Sequence, residues 1–239
     1  MSDLIIRYEG YWISAQSKVE LEAIMKKWLS FIYNKVQVFL PHVLLRFLKI
    51  KFQAYNLPKW EAAGRPVPPP HLIKVLKIQE LAKKNNIRVF VETGTYMGDM
   101  IECVKNDFDL IISIELSIQF FKRAKRIFKR YRNILLLQGD SGMLLSKVCQ
   151  TIKRPAIFWL DAHYSGGNTA RGNIDTPIIS ELRSIFTNSK EKNIVVIDDA
   201  RCFVGEDGYP TVKELKTFCK NFSYDIVLIK DDGIILKHQ

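Results

Sequence analysis

Residues 89–100 read VFVETGTYMGDM. A short apolar run breaks on a carboxylate, Glu92, and Gly94 and Gly98 follow with Thr95, Tyr96 and Met97 between them. That is the order of a buried strand, an acid and a tight turn into a helix. In a doubly wound sheet the first such turn lies beyond the carboxyl ends of the strands, where the chain order reverses and ligands bind. Gly94 allows the turn and a close backbone approach to a ligand, and Gly98 lets the next helix pack closely. Alone, Glu-x-Gly-x-x-x-Gly fits a dinucleotide turn or a plain strand-to-helix turn equally well.

The surrounding pattern supplies the sheet. HLIKVLKIQELAKKNN (71–86) carries apolar residues at helical spacing and precedes the strand IRVFVE (87–92). Further continuous apolar runs follow at 110–115 (LIISIE), 134–138 (ILLLQ), 156–161 (AIFWLD) and 193–198 (NIVVID). Helix-sized segments at 98–106, 117–131, 141–152 and 177–187 separate them. Apolar strands alternating with helices predict a parallel sheet covered on both faces. The ending differs: SYDIVLIK and GIILKH are joined only by Asp231, Asp232 and Gly233, a connection that makes an antiparallel hairpin.

Five parallel strands with a terminal hairpin resemble the class I S-adenosylmethionine-dependent methyltransferases, a Rossmann-like fold of seven strands whose last strand runs antiparallel. The resemblance covers the chain from about residue 70 to its end. Glu115 ends the second strand, where a carboxylate accepts ribose hydroxyls, and Asp140 follows the third in QGDSG, placed to meet an adenine amino group. Each acid alone fits a helix cap equally well. Glu92 separates the cofactors, because it would repel a dinucleotide pyrophosphate but favours the sulfonium and ammonium of S-adenosylmethionine. The expected cofactor-binding set is Glu92, Thr93, Gly94, Thr95, Tyr96, Gly98, Glu115, Asp140 and Ser141.

The fourth strand ends in IFWLDAHYSGG and the fifth in VVIDDARCF. Asp161, Asp198 and Asp199 form an oxygen-rich set suited to Mg²⁺ or Mn²⁺. This resembles the metal-dependent O-methyltransferases, including the catechol type and, more closely, the bacterial sugar O-methyltransferases that act on deoxysugars of macrolides and aminocoumarins. The resemblance implies a sugar or glycan acceptor. Asp161 is read as ligand and local base, with His163 assisting. The glycine-bearing loop YSGGNTARGNIDTP (164–177) is read as a lid ending in a helix start with Thr176 as N-cap and Pro177 first. Tyr164, Arg171 and Arg201 are the candidate substrate contacts.

The chain has 239 residues, 47% apolar, enough for one sizeable core and an extension. The proline-rich GRPVPPPH (64–71) is the one composition break. It divides an N-terminal helical extension, 1–64, from a methyltransferase domain, 65–239. Residues 16–52 read as helices split at Pro41, suited to capping, oligomer contact or a membrane surface. The hydrophobic stretch 28–52 is interrupted too often to span a bilayer. The opening MSDLIIRYEGYW is not expected to act as a cleavable leader, and Cys103, Cys149, Cys202 and Cys219 show no CxxC pairing. A cytoplasmic or membrane-peripheral location is expected.

The net charge of +11 concentrates in KRAKRIFKRYR (122–132), read as a solvated helix face. A nucleic-acid target is disfavoured, because the chain lacks both the Asn/Asp-Pro-Pro-aromatic tetrad of amino-directed enzymes and a Pro-Cys pair for attack on cytosine. A silent methyltransferase-fold binding protein, a small-phenol methyltransferase and, on net charge alone, a nucleic-acid methyltransferase are the other readings.

Overall fold

In the computed structural model, residues 4–8, 11–15, 53–161 and 177–239 are described. Each apolar run that alternates with a helical segment becomes a strand: β3 (Val89–Thr93), β4 (Leu110–Glu115), β5 (Ile134–Gln138), β6 (Ala156–Leu160) and β7 (Ile194–Ile197). The ending forms the hairpin β8 (Tyr224–Lys230) and β9 (Gly233–His238). The sheet order is β5-β4-β3-β6-β7-β9-β8. β9 pairs antiparallel with both neighbours, and the other pairs are parallel. The chain therefore winds outward from β3 in one direction and from β6 in the other. The crevice at the switch point opens where β3 and β6 end side by side.

The helices are α1 (His71–Asn85), α2 (Asp99–Val104), α3 (Ile118–Phe128), α4 (Ser141–Thr151), α5 (Ile178–Asn188) and α6 (Val212–Lys220). Strand alternation divides the core in two. Val89, Val91, Phe158 and Leu160 face the layer holding Leu145, Leu182 and Leu215 of α4, α5 and α6. Phe90, Ile157 and Trp159 face the layer holding Ile78, Ile101 and Ala124 of α1, α2 and α3. Burial on both faces explains why β3, β6 and β7 are apolar without a break, whereas the edge strand β5 is only partly covered. The basic stretch 122–132 lies largely on α3, anchored by Ala124 and Phe128.

A two-stranded ribbon and one helix lie outside the elements expected from the sequence. Residues Leu4–Tyr8 (β1) and Tyr11–Ala15 (β2) pair as an antiparallel ribbon, Tyr8 opposite Tyr11, within the segment read as a helical extension. Their β-branched and aromatic content around Gly10 carried that signal. The helices expected over 16–52 lie outside the described residues. Helix α6 was also missed, although TVKE (211–214) is a capping box: the Thr211 hydroxyl accepts from Glu214 N, and the Glu214 carboxylate accepts from Thr211 N. The chain divides into compact units Met1–Tyr55 and Asn56–Gln239, which puts 56–64 with the larger one. Among the described residues no helix is long and apolar enough to cross a membrane.

The central sheet carries the stability. Phe158→Ala, at a fully buried position, is expected to cost about 3–5 kcal/mol in urea unfolding. Leu135→Ala on the exposed edge, where the side chain is 48% accessible, is expected to cost under about 1 kcal/mol.

Candidate active site

Thr93 ends β3, and the backbone turns at Gly94 with φ of 85° while Gly94 N donates to Ile114 O at 2.9 Å. Gly98 closes the turn with φ of 74°, its N–H donating to Thr95 O at 2.7 Å. Both conformations are left-handed and favour glycine. Between them Tyr96 also has a positive φ, 46°, a conformation that surrounding bonds must enforce. Glu115 is one such constraint: its Oε2 accepts from Tyr96 N at 2.7 Å and its Oε1 from Ser117 N at 2.8 Å. Glu115 thus ties the glycine turn to the β4–α3 turn, and each oxygen keeps a second lone pair for a ligand hydroxyl.

Glu92 is buried on β3. Ser113 Oγ donates to its Oε1 at 2.7 Å, and Thr95 Oγ1 in turn bonds the Ser113 hydroxyl. Burial pushes its carboxyl up to about 8, opposed by the Ser113 bond and reinforced by Asp161 and Glu115. Such a group gains most from a nearby cation. Asp140 occupies the N-cap position of α4, and its side chain makes no capping bond there.

At the switch point Asp161 N donates to Thr93 O at 3.2 Å, and Asp198 N donates to Leu160 O at 3.1 Å. These bonds bring the ends of three neighbouring strands together. One carboxylate oxygen each from Asp161, Asp198 and Asp199 lie within 4.8 Å of one another. Asp198 is buried, and burial together with Asp161 pushes its carboxyl up to about 6 against the lowering effect of Lys74. Its Oδ1 is buried without a hydrogen-bond partner. Asp199 is also buried and left-handed, φ 56°.

Three further charged side chains complete the surroundings of these acids. Lys74 of α1 donates to Asp198 Oδ2 and stands 3.9 Å from Asp199 Oδ1. Arg201, expected at the substrate mouth, places Nη1 2.8 Å from Asp199 Oδ1 and bonds Asp232, which also accepts from Arg201 N at 2.9 Å. Glu181 is a buried acid on α5 that accepts from Ser141 Oγ at 2.5 Å. Burial pushes it up to about 7, opposed by hydrogen bonds from Ser141 and Thr93. Its signal was available: it lies on the stripe Ile178, Leu182, Ile185, where an apolar residue belongs. Ser141 thereby fixes the start of α4 instead of facing only a ligand. His163, Tyr164 and Arg171 lie outside the described residues, as does Thr176. Helix α5 starts at Ile178 with Pro177 as its N-cap residue.

No protein-family profile and no curated protein sequence matches the chain. Solved structures do resemble it. An O-methyltransferase from Bacillus cereus in complex with S-adenosylhomocysteine aligns with TM-score 0.56 at 13% identity, over 90% of this chain and 99% of that one. The O-methyltransferase TomG from Streptomyces achromogenes, involved in tomaymycin synthesis and bound to S-adenosylmethionine, aligns with TM-score 0.54 at 14% identity, over 80% and 88%. Podospora anserina methyltransferase PaMTH1, bound to S-adenosylhomocysteine, aligns with TM-score 0.53 at 13% identity, over 94% and 97%. The chain has the Rossmann-like methyltransferase fold.

The raised Glu92 carboxyl has a consequence for stability. Burial in protonated form contributes stability that is fully present below pH 4.5 and is lost as pH rises through about 8. Glu92→Gln, which cannot ionise, is expected to flatten the decline across that window in urea unfolding at successive pH values. An unchanged slope would show that Glu92 is not the titrating group.

Proposed function

We propose that this protein is an S-adenosylmethionine-dependent, divalent-metal-dependent O-methyltransferase acting on a sugar or glycan hydroxyl. The observation that carries the metal part is the buried, unpartnered Asp198 Oδ1 within the cluster of Asp161, Asp198 and Asp199. Leaving a buried carboxylate oxygen without a partner costs about 1–3 kcal/mol or more, and a hard cation is the ligand that three such oxygens suit. The fit extends to charge. Asp198, Asp199 and Asp232 pair with Lys74 and Arg201, and Asp161 completes the cluster, so four carboxylates against two cations leave two negative charges for one divalent ion.

The cofactor part rests on the fold and on Glu92, whose buried carboxyl lies beside the glycine turn at the switch point. Glu92 would face the cationic methionine end, Glu115 the ribose hydroxyls and Asp140 the adenine amino group. Bound, S-adenosylmethionine supplies an electrophilic methyl group, and a divalent ion would lower the pKa of the acceptor hydroxyl. The chain's own work is positioning and proton transfer. Asp161, adjacent to Thr93 across β3 and β6, is set between the two subsites to take the acceptor proton, with His163 assisting. The sugar class rests on the family resemblance carried by the Asp161, Asp198 and Asp199 set, not on residues that would contact the acceptor.

Two measurements test this reading. Methyl transfer from labelled S-adenosylmethionine to a panel of sugar glycosides and catechols is expected to need Mg²⁺ or Mn²⁺ and to stop with chelator. Asp199→Asn should lower kcat/KM by about 100-fold. Turnover indifferent to both would remove the metal. Calorimetric titration with S-adenosylmethionine below pH 8, in buffers of different ionisation enthalpy, is expected to show proton release as Glu92 ionises opposite the cofactor. Absence of binding would remove the methyltransferase assignment.

A further inference from the structure

Helix α1 precedes the first strand of the parallel sheet and contributes nothing to the acid motifs, yet it delivers Lys74 into them. Its buried face is Ile73, Val75, Ile78 and Ala82, and Lys74 flanks that face with a side chain only 16% accessible. The ammonium donates to Asp198 Oδ2 and lies 3.9 Å from Asp199 Oδ1. Two of the three clustered carboxylates therefore already share one internal cation. Arg201 is the second internal cation, its Nη1 pairing with both Asp199 and Asp232.

We propose that Lys74 is a built-in counter-ion that competes with the divalent cation for Asp198 and Asp199, a specificity residue that sets how tightly the metal is held. The inference rests on the metal reading above. A divalent ion among these carboxylates would stand close to the Lys74 ammonium if both stayed in place. Like charges at such range repel by several kcal/mol even at an effective dielectric constant of about 20. Binding of the metal therefore includes the work of loosening the Lys74–Asp198 pair, and removing the ammonium removes that work. Without metal the same ammonium keeps Asp198 from standing as an uncompensated buried charge, an arrangement that is strongly destabilising when one partner is deleted.

The test is Mn²⁺ binding to the full chain, read by electron paramagnetic resonance of the free ion and by the metal-dependent rise in melting temperature. It compares wild type, Lys74→Met, Lys74→Arg and Asp198→Asn. The expected result is that Lys74→Met melts lower than wild type without metal, binds Mn²⁺ at least about tenfold more tightly, and recovers its melting temperature when metal is added. Lys74→Arg, which keeps the charge, should stay near wild-type affinity and show the variant position tolerates a folded protein. Wild-type binding that Asp198→Asn abolishes and Lys74→Met leaves equal or weaker overturns the counter-ion role and leaves the metal site standing. No Mn²⁺ binding by wild type or Lys74→Met overturns the metal reading and the counter-ion role together.

Discussion

Carboxylates are costly to bury unless something neutralises them. Among the described residues the buried acids are Glu92, Glu115, Glu181, Asp198, Asp199 and Asp232. Glu92, Glu115, Asp198 and Asp199 lie at or just beyond the carboxyl ends of β3, β4 and β7, and Asp232 joins them from the β8–β9 turn because β9 runs antiparallel to β7. Glu181 comes in from α5 through Ser141. The rest of the site is organised around compensating this one edge.

The compensation divides by position along the edge. On the β3–β4 side it is mostly neutral: the Ser113 hydroxyl on Glu92, itself bonded to the Thr95 hydroxyl, and backbone N–H groups on Glu115. This side tolerates a protonated Glu92 and gains from a ligand of positive charge. On the β7 side it is ionic, with Lys74 and Arg201 against three aspartates. That side keeps an unpartnered oxygen. In the proposed reading, this contrast between a neutralised acid and an incompletely neutralised cluster is what would distinguish an organic-cation subsite at Glu92 from a metal subsite at the aspartates.

Most of the sheet was legible because its strands are buried on both faces and so cannot alternate with polar residues. The hairpin was legible because a connection as short as Asp231–Asp232 cannot join parallel strands. The motif acids were legible because a carboxylate at the end of an apolar run interrupts it visibly. Lys74 was not, since a lysine beside the apolar face of a helix looks like any solvated residue until the helix is docked. Arg201 sat near the right loop, but only the fold shows that Asp199 and Asp232 engage it. Helix α6 was overlooked in favour of apolar periodicity, although its capping box was in plain view. The ribbon β1–β2 is hard to read because each of its strands is only five residues long.

The central claim is that one crevice holds S-adenosylmethionine at the Glu92 turn and a divalent ion at the three aspartates. The most direct measurement is a crystal structure with S-adenosylhomocysteine and Mn²⁺, using the anomalous signal of the metal. The account predicts the nucleoside along Glu92, Glu115 and Asp140, with one anomalous peak bonded to Asp161, Asp198 and Asp199. A nucleoside bound elsewhere, or a saturated crystal with no peak among those carboxylates, would contradict it.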